Sequence, residues 1–318
     1  MTNLNYKVTN KPDKKVLAAF FFFILIGGGA AVAIRISYKE MAPFWLATSR
    51  FALGALVFWA VVLFRRIKLP GGRALIGALV YGVLIIGLSY ILKAWGLVAT
   101  QAGLYQILMT LVPLLTLFLS AFHGVEAITM RGIAGAMLAL SGIAVIFSGA
   151  SPGEISIPHI AAIILAALFM AEGGVLIKKF PANPPIVTNA IGMTVGAIIL
   201  GITSLINGEK WGIPAQLETW FAFLYLVLFV TLLAFMLYLF ILNKWTASGA
   251  SYGFVMFPLV TIIAGAALTE ESITINLIIG ASLVFTGVLF GAILSSKSKI
   301  AAVEECKEES GKVLANCN

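Results

Sequence analysis

The sequence predicts an all-α membrane protein: ten transmembrane helices arranged as two inverted five-helix repeats. Three observations predict it. First, apolar runs of around 20 residues recur along the chain, each able to span a hydrocarbon core about 30 Å thick. The 318 residues are 61% hydrophobic and 11% charged, with mean hydropathy +1.05, whereas a soluble domain is about a quarter charged. Second, landmarks return at a constant offset of 145: Pro113 and Pro258, Glu126 and Glu271, Gly135 and Gly280, Gly142 and Gly287, Gly28–Gly29 and Gly173–Gly174. A fixed offset across such different residue types marks a tandem duplication. Third, each unit holds five spans. Five is odd, so the second unit enters the membrane from the opposite side and the halves are inverted.

In order, residues 1–15 form a polar, basic tail. Spans are expected at 16–36, 43–64, 73–93, 97–121, 130–148, 157–177, 185–206, 218–241, 247–268 and 274–294, and a charged tail at 295–318. The first repeat is thus 16–148 and the second 157–294. A rival reading of the first span is a signal peptide. Against it, the run is long and its glycine pair is echoed inside the chain. Lys14, Lys15, Arg65, Arg66, Lys68, Arg73, Lys178, Lys179 and Lys244 gather on one side; Arg35, Lys39, Lys93 and Lys210 fall at the other ends. The positive-inside rule then makes both termini cytoplasmic, in a multi-pass protein of the cell membrane. The formal charge of +8 is explained by this topology, so no nucleic-acid partner is expected. Cys306 and Cys317 both lie in the C-terminal tail, which leaves no disulfide framework and no cysteine-rich metal site.

Charged and polar residues inside the spans point to function. Arg50 lies seven residues past Pro43, about 10 Å deep at 1.5 Å per residue. It can hold a substrate carboxylate or snorkel to the surface. Glu172 lies six residues before Lys178, about 9 Å from the other edge. It is the candidate coupling residue, with capping by helix ends as the structural alternative. Gln106, Thr110, Pro113 and Ser120 share one face of the fourth span. Ser251 and Tyr252 stand at the corresponding place in the ninth. Such a stripe lines a polar path or bonds between helices. Tyr81, Tyr90, Trp95, Tyr105 and Tyr238 complete the candidate substrate-binding set. Pro113 and Pro258 each remove a backbone donor, as a hinge or as a static kink. The seven-residue glycine spacing in the fifth and tenth spans suits close packing, between halves or between protomers. Glu126 and Glu271 suit the N-termini of the fifth and tenth helices.

A mid-helix proline, a Gly/Thr-x-Glu loop and a glycine-spaced helix therefore occur twice: Pro113, GVE at 124–126, Gly135 and Gly142; then Pro258, TEE at 269–271, Gly280 and Gly287. Together with Arg50 inside ATSRFALGAL, this resembles the EamA-like branch of the drug/metabolite transporter superfamily over about residues 16–294. The resemblance implies a ten-helix secondary carrier with inward termini, often exporting amino acids or other small metabolites. Family members often carry a Trp in the first and sixth helices; here GGG stands at 27–29 and EGG at 172–174, which leaves the substrate open.

The leading expectation is a secondary transporter of a small polar or amphipathic solute, moving it outward by alternating access. A facilitative uniporter or a drug efflux carrier is the near alternative. A non-transporting membrane sensor is the alternative of a different class. No GxxxxGK[ST] or HExxH motif occurs, and His123 and His159 fall at opposite faces, so no enzyme, cofactor or metal is expected. The expected partners are the small-molecule substrate and the bilayer, with the chain a monomer or homodimer.

Overall fold

The computed structural model describes residues 13–124, 130–148, 156–245, 250, 253–268 and 274–290. These form ten helices: α1 (Lys14–Ser37), α2 (Pro43–Phe64), α3 (Gly72–Val98), α4 (Ala102–Phe122), α5 (Met130–Ser148), α6 (Ile157–Ile177), α7 (Pro185–Ile206), α8 (Leu217–Lys244), α9 (Gly253–Leu268) and α10 (Ile275–Val288). Seven are long and apolar enough to cross a membrane; α5, α9 and α10 carry shorter apolar stretches. Glu126, Glu271, Ser251, Tyr252 and most of both tails lie outside the described residues.

Local chemistry sets the helix ends. Prolines open the first turns of α2, α6 and α7, where a missing N–H costs nothing. The Asp13 carboxylate accepts from the Val16 N–H at 2.8 Å, and the Thr274 hydroxyl accepts from Leu277 at 3.2 Å. One junction differs from expectation. The sequence ends the third span at 93 and begins the fourth at 97, yet α3 continues to Val98 and α4 starts at Ala102. Arg35 explains the longer run: its guanidinium donates to the carbonyls of Leu97 and Thr100 at 3.4 and 2.9 Å. It closes the α3 C-terminus that would otherwise be left open. Lys93 therefore lies inside α3 and not at its end.

The packing repeats with the sequence. Helix α2 packs on α7 and α5 on α10; α1 packs on α8 and α9, as α6 packs on α3 and α4. Exchanging each helix with the one five places later returns the same pattern. The pairs made of equivalent helices are antiparallel. A Cβ on Gly201 would meet Thr48 at 3.4 Å, while further along Trp59 donates to Thr194 at 2.9 Å. Likewise Gly287 faces Gly135 and Gly142 faces Gly280, two contacts that the exchange maps onto each other. A Cβ on Gly287 would sit 2.5 Å from the Gly135 carbonyl, and one on Gly142 would sit 2.6 Å from that of Gly280. The glycine-spaced helices thus join the two halves within one chain. Large apolar side chains on the outside, among them Leu56, Phe221 and Ile263, are more than half exposed. They form the surface that a bilayer would cover.

Two faces close the bundle. On one, the 38–42 and 207–216 connections interlock. Glu209 accepts from the N–H groups of Phe44 and Trp45 at 3.0 and 2.7 Å, capping α2. Glu40 accepts from Gln216 at 3.0 Å at the start of α8, which holds its carboxyl below the usual range. Trp45 stacks on Trp211 at 4.5 Å. On the opposite face, Asn183 donates to the Ala74 carbonyl at 2.8 Å. Lys178 there donates to the carbonyls of Leu242 and Trp245.

The α5–α10 contact generates a prediction. Gly287→Leu places new atoms against the backbone of Gly135 and Ala139, which cannot yield as a side chain can. Overpacking of this kind costs about 1–3 kcal/mol, so thermal unfolding in detergent should shift down by several degrees. Gly71→Ala, where nothing lies within 4 Å, should leave it unchanged.

Candidate functional site

The centre of the bundle holds a cavity of about 70 Å³ walled by α1, α2, α3, α4, α6, α8 and α9. It has room for several waters, since one needs about 10–15 Å³. Arg50 enters from α2, Tyr90 and Lys93 from α3, Tyr105 and Gln106 from α4, and Phe235 and Tyr238 from α8.

Two π-helical stretches aim the α3 and α8 residues. One is Gly82–Leu88 in α3, the other Leu226–Ala234 in α8. The offset of 145 carries the first to 227–233, inside the second. A π turn bonds i to i+5, widens the helix and rotates the residues after it; such turns gather at functional sites. Here the rotated residues are Tyr90 and Lys93 in α3, and at their equivalents Phe235 and Tyr238 in α8. All four line the cavity. Met109 and its equivalent Phe254 line it as well. The repeat is symmetric in backbone and asymmetric in chemistry. The first half contributes two cations and an amide beside the rings of Phe23, Tyr90 and Tyr105; the second contributes rings and aliphatic side chains without a cation.

Arg50 is 1% exposed. Its Nε donates to the Thr231 hydroxyl at 3.1 Å, across to the other repeat. The guanidinium carbon lies 4.8 Å from the Phe51 ring centre and 5.2 Å from that of Tyr90. Its Nη2 is buried with no hydrogen-bond partner. The snorkelling alternative is therefore not what the side chain does. Lys93, which the sequence places at a membrane edge, is 6% exposed. It sits 4.4 Å from the Tyr90 ring centre, with the Met170 thioether 3.2 Å from its Nζ. The longer α3 is the reason, and the sequence offers no signal for that extension apart from Arg35. Among the described residues, no carboxylate lines this cavity.

Its two ends differ. Toward the 38–42 face lies a gap of about 10 Å³ lined by Tyr38, Pro43, Leu46 and Tyr105, sharing Arg50 and Lys93 with the cavity. Beyond it, a surface recess of about 540 Å³ is lined by Arg35, Lys39 and Glu40. At the other end, Phe23, Tyr238, Phe254 and Phe257 pack ring on ring, with centres 5.1–6.2 Å apart. Phe257 presses on Gly27, where a Cβ would come 2.2 Å from the ring, and Thr261 donates to the Gly28 carbonyl. The glycines at 27–28 thus let α1 meet α9 closely enough to seal that end.

The remaining candidates divide. Gln106 lines the cavity, whereas Thr110 and Ser120 are buried in the helix packing. Tyr81 is fully buried away from it, donating to Asn189 at 3.1 Å. Trp95 is 41% exposed and stacks on His159 at 4.3 Å. Glu172 lies outside the cavity toward the sealed end. Its Oε1 is 2.7 Å from His123 Nε2, and its Oε2 is buried without a partner. His123 caps the end of α4, so this pair ties α4 to α6. Sequence reading separates the two because they stand 49 positions apart.

The prolines also differ. At Pro113 the helix breaks: Ala102–Met109 ends, Thr110 and Leu111 turn, and Val112–Phe122 begins anew. The Thr110 and Leu111 N–H groups reach back only three residues, to Ile107 and Leu108, and the Thr110 hydroxyl donates to Ile107 at 2.6 Å. Pro258 sits inside an unbroken helix.

Comparison with known proteins agrees with this architecture. The EamA-like transporter family model matches residues 14–148 and again 157–292. An uncharacterized transporter of Archaeoglobus fulgidus is 27% identical over 267 residues, covering 80% of this chain and 91% of its own. The uncharacterized inner membrane transporter YedA of Escherichia coli is 28% identical, covering 76% and 78%. YvbV of Bacillus subtilis, another uncharacterized transporter, is 28% identical, covering 82% and 86%. A solved crystal structure shares the fold with a TM-score of 0.66 at 20% identity, over 90% of this chain and 99% of its own. With both repeats matched by one family model, on a ten-helix frame with a cavity at its centre, the chain belongs to the EamA-like transporter family.

Proposed function

We propose that this chain is a secondary carrier that exports a small carboxylate-bearing metabolite, an amino acid or a similar amphipathic solute, by alternating access. The observation that carries the reading is Arg50: a buried guanidinium with an unpartnered Nη2, inside a cavity where the two repeats meet. A cation held at that depth costs about 3 kcal/mol on insertion scales and calls for an anion. Substrate sites between inverted repeats are the usual arrangement of such carriers. The aromatic rings on the α8 and α9 side suit the apolar part of an amphipathic solute.

Lys14, Lys178, Lys179 and Lys244 put the 178–184 face in the cytoplasm by the positive-inside rule. With that orientation the narrow gap past Tyr38 leads outward, and the aromatic seal at Phe23 and Phe257 closes the inward path. Rocking of the halves about the break at Thr110–Pro113 would open the seal and close the gap. The Glu172–His123 pair stands on the inward side, next to α4. A proton gained or lost by this pair would alter the bond that ties α4 to α6, a route for proton coupling. A facilitative uniporter would use the same cavity without that dependence. The aromatic rings alone would suit drug efflux, but Arg50 and Lys93 favour an anionic group.

Counterflow in proteoliposomes tests the carrier reading. Vesicles loaded with a mixture of unlabelled amino acids and other small carboxylates should accumulate a labelled member of it, and Arg50→Ala should reduce this to the level of empty vesicles. Absence of counterflow with any carboxylate would remove the reading. A second prediction concerns coupling. If the pair carries the proton, Glu172→Gln should abolish stimulation by a pH gradient while counterflow at equal pH persists. His123→Gln should weaken the same stimulation. Gradient dependence unchanged in Glu172→Gln would leave the uniporter.

A further inference from the structure

From the pairing of Lys93 with Arg50 in a cavity without a counter-charge, we infer that the substrate is a small organic dianion, a dicarboxylate or a phosphate monoester. Its two negative charges would divide between the two side chains. This deepens the carrier reading and rests on it.

Charge balance in the cavity favours two negative charges. Both cations face the same Tyr90 ring, at 4.4 Å for Lys93 and 5.2 Å for Arg50. A ring face relieves a cation only in part. Their remaining partners are neutral: the Thr231 hydroxyl for Arg50 and the Met170 thioether, a weak acceptor, for Lys93. Among the described residues, carboxylates find their partners elsewhere, Glu218 with Lys39 and Glu172 with His123. Like charges so close repel, and each lacks the water it would have in solution. A monocarboxylate compensates one of them and leaves the other stranded. A neutral zwitterion does worse, because its ammonium adds a third positive charge to a lining that offers no carboxylate among the described residues. A dianion compensates both at once.

Position supports the same conclusion. Lys93 and Tyr238 are equivalent residues, and so are Tyr90 and Phe235. At the Lys93/Tyr238 position the duplication left a cation on one wall and a ring on the other; at Tyr90/Phe235 it left a ring on both. A ligand filling the cavity thus meets both cations along α2 and α3, beside Tyr90, and rings without a cation along α8 and α9. The charged end would be short and doubly anionic, and the opposite end apolar or aromatic.

The test holds the apolar part constant and changes the head. Purified full-length protein in nanodiscs is titrated with phenylsuccinate, phenyl phosphate, phenylpropionate and phenylalanine, and binding is read from tryptophan fluorescence and thermal shift. Phenylsuccinate or phenyl phosphate should bind about tenfold tighter or more than phenylpropionate and phenylalanine. The tighter of the two dianions tells a dicarboxylate from a phosphate ester. Lys93→Gln should abolish the preference, so that dianions and phenylpropionate bind alike in that variant; Lys93→Arg should keep the preference. Equal binding of dianion and monoanion to the native protein overturns the dianion inference and leaves the carboxylate carrier standing, as does a preference that survives in Lys93→Gln. Binding by none of the four probes overturns both. If Lys93→Gln fails to fold, the native series alone decides.

Discussion

A guanidinium in the middle of a membrane protein constrains everything near it. Arg50 is buried far from the outer surface, and it has no carboxylate beside it among the described residues. The surroundings therefore hold it by weaker means: the Thr231 hydroxyl on one edge and the faces of Phe51 and Tyr90 beside it. Thr231 belongs to the second repeat, so the charge of one half is steadied by the other. Its own position depends on the π-helical stretch of α8, which contains it. Holding that contact requires a close fit of α2 onto α7 and α8, with Gly54 set against Thr231 and Met193, where a Cβ would come within 2.9 Å.

Duplication supplied the frame and divergence supplied the site. The elements that the exchange of halves preserves are those of backbone packing: the glycine contacts of α5 with α10, the π stretches, the crossing of α2 and α7. The elements it does not preserve are side chains at the cavity wall, where Lys93 answers Tyr238 and Met109 answers Phe254. A twofold frame needs the former to match, since each contact is built from both halves. It places no such demand on a cavity, which a single asymmetric solute fills.

The ten-helix frame is legible in the sequence because its signals are additive. Long apolar runs, a constant offset and an odd span count each survive errors at single residues. Arg50, Tyr90, Tyr105, Gln106 and Tyr238 are legible for a simpler reason: polar and aromatic groups inside a span have few places to go. Lys93 is not, because hydropathy ends a span at the first charge. The bonds from Arg35 that carry α3 five residues further come from another helix. Trp95 enters the candidate set by proximity in sequence, but it falls on the outer side of α3, against His159. The Glu172–His123 pair is invisible in the sequence because the contact is tertiary. The π stretches leave no trace either: GVLIIGL and LVLFVTLLA share neither composition nor a proline.

The unequal prolines carry a consequence for energetics. If the halves were identical, the inward-open and outward-open forms would be mirror states of equal free energy, and an empty carrier would divide evenly between them. Here one half already has its fourth helix broken at Thr110–Leu111, while the matching helix in the other half runs straight through Pro258. Bending a helix already interrupted costs less than interrupting a whole one. In a chain that alternates as proposed, the two forms would thereby be unequal, and the empty chain would have a resting side written into its backbone.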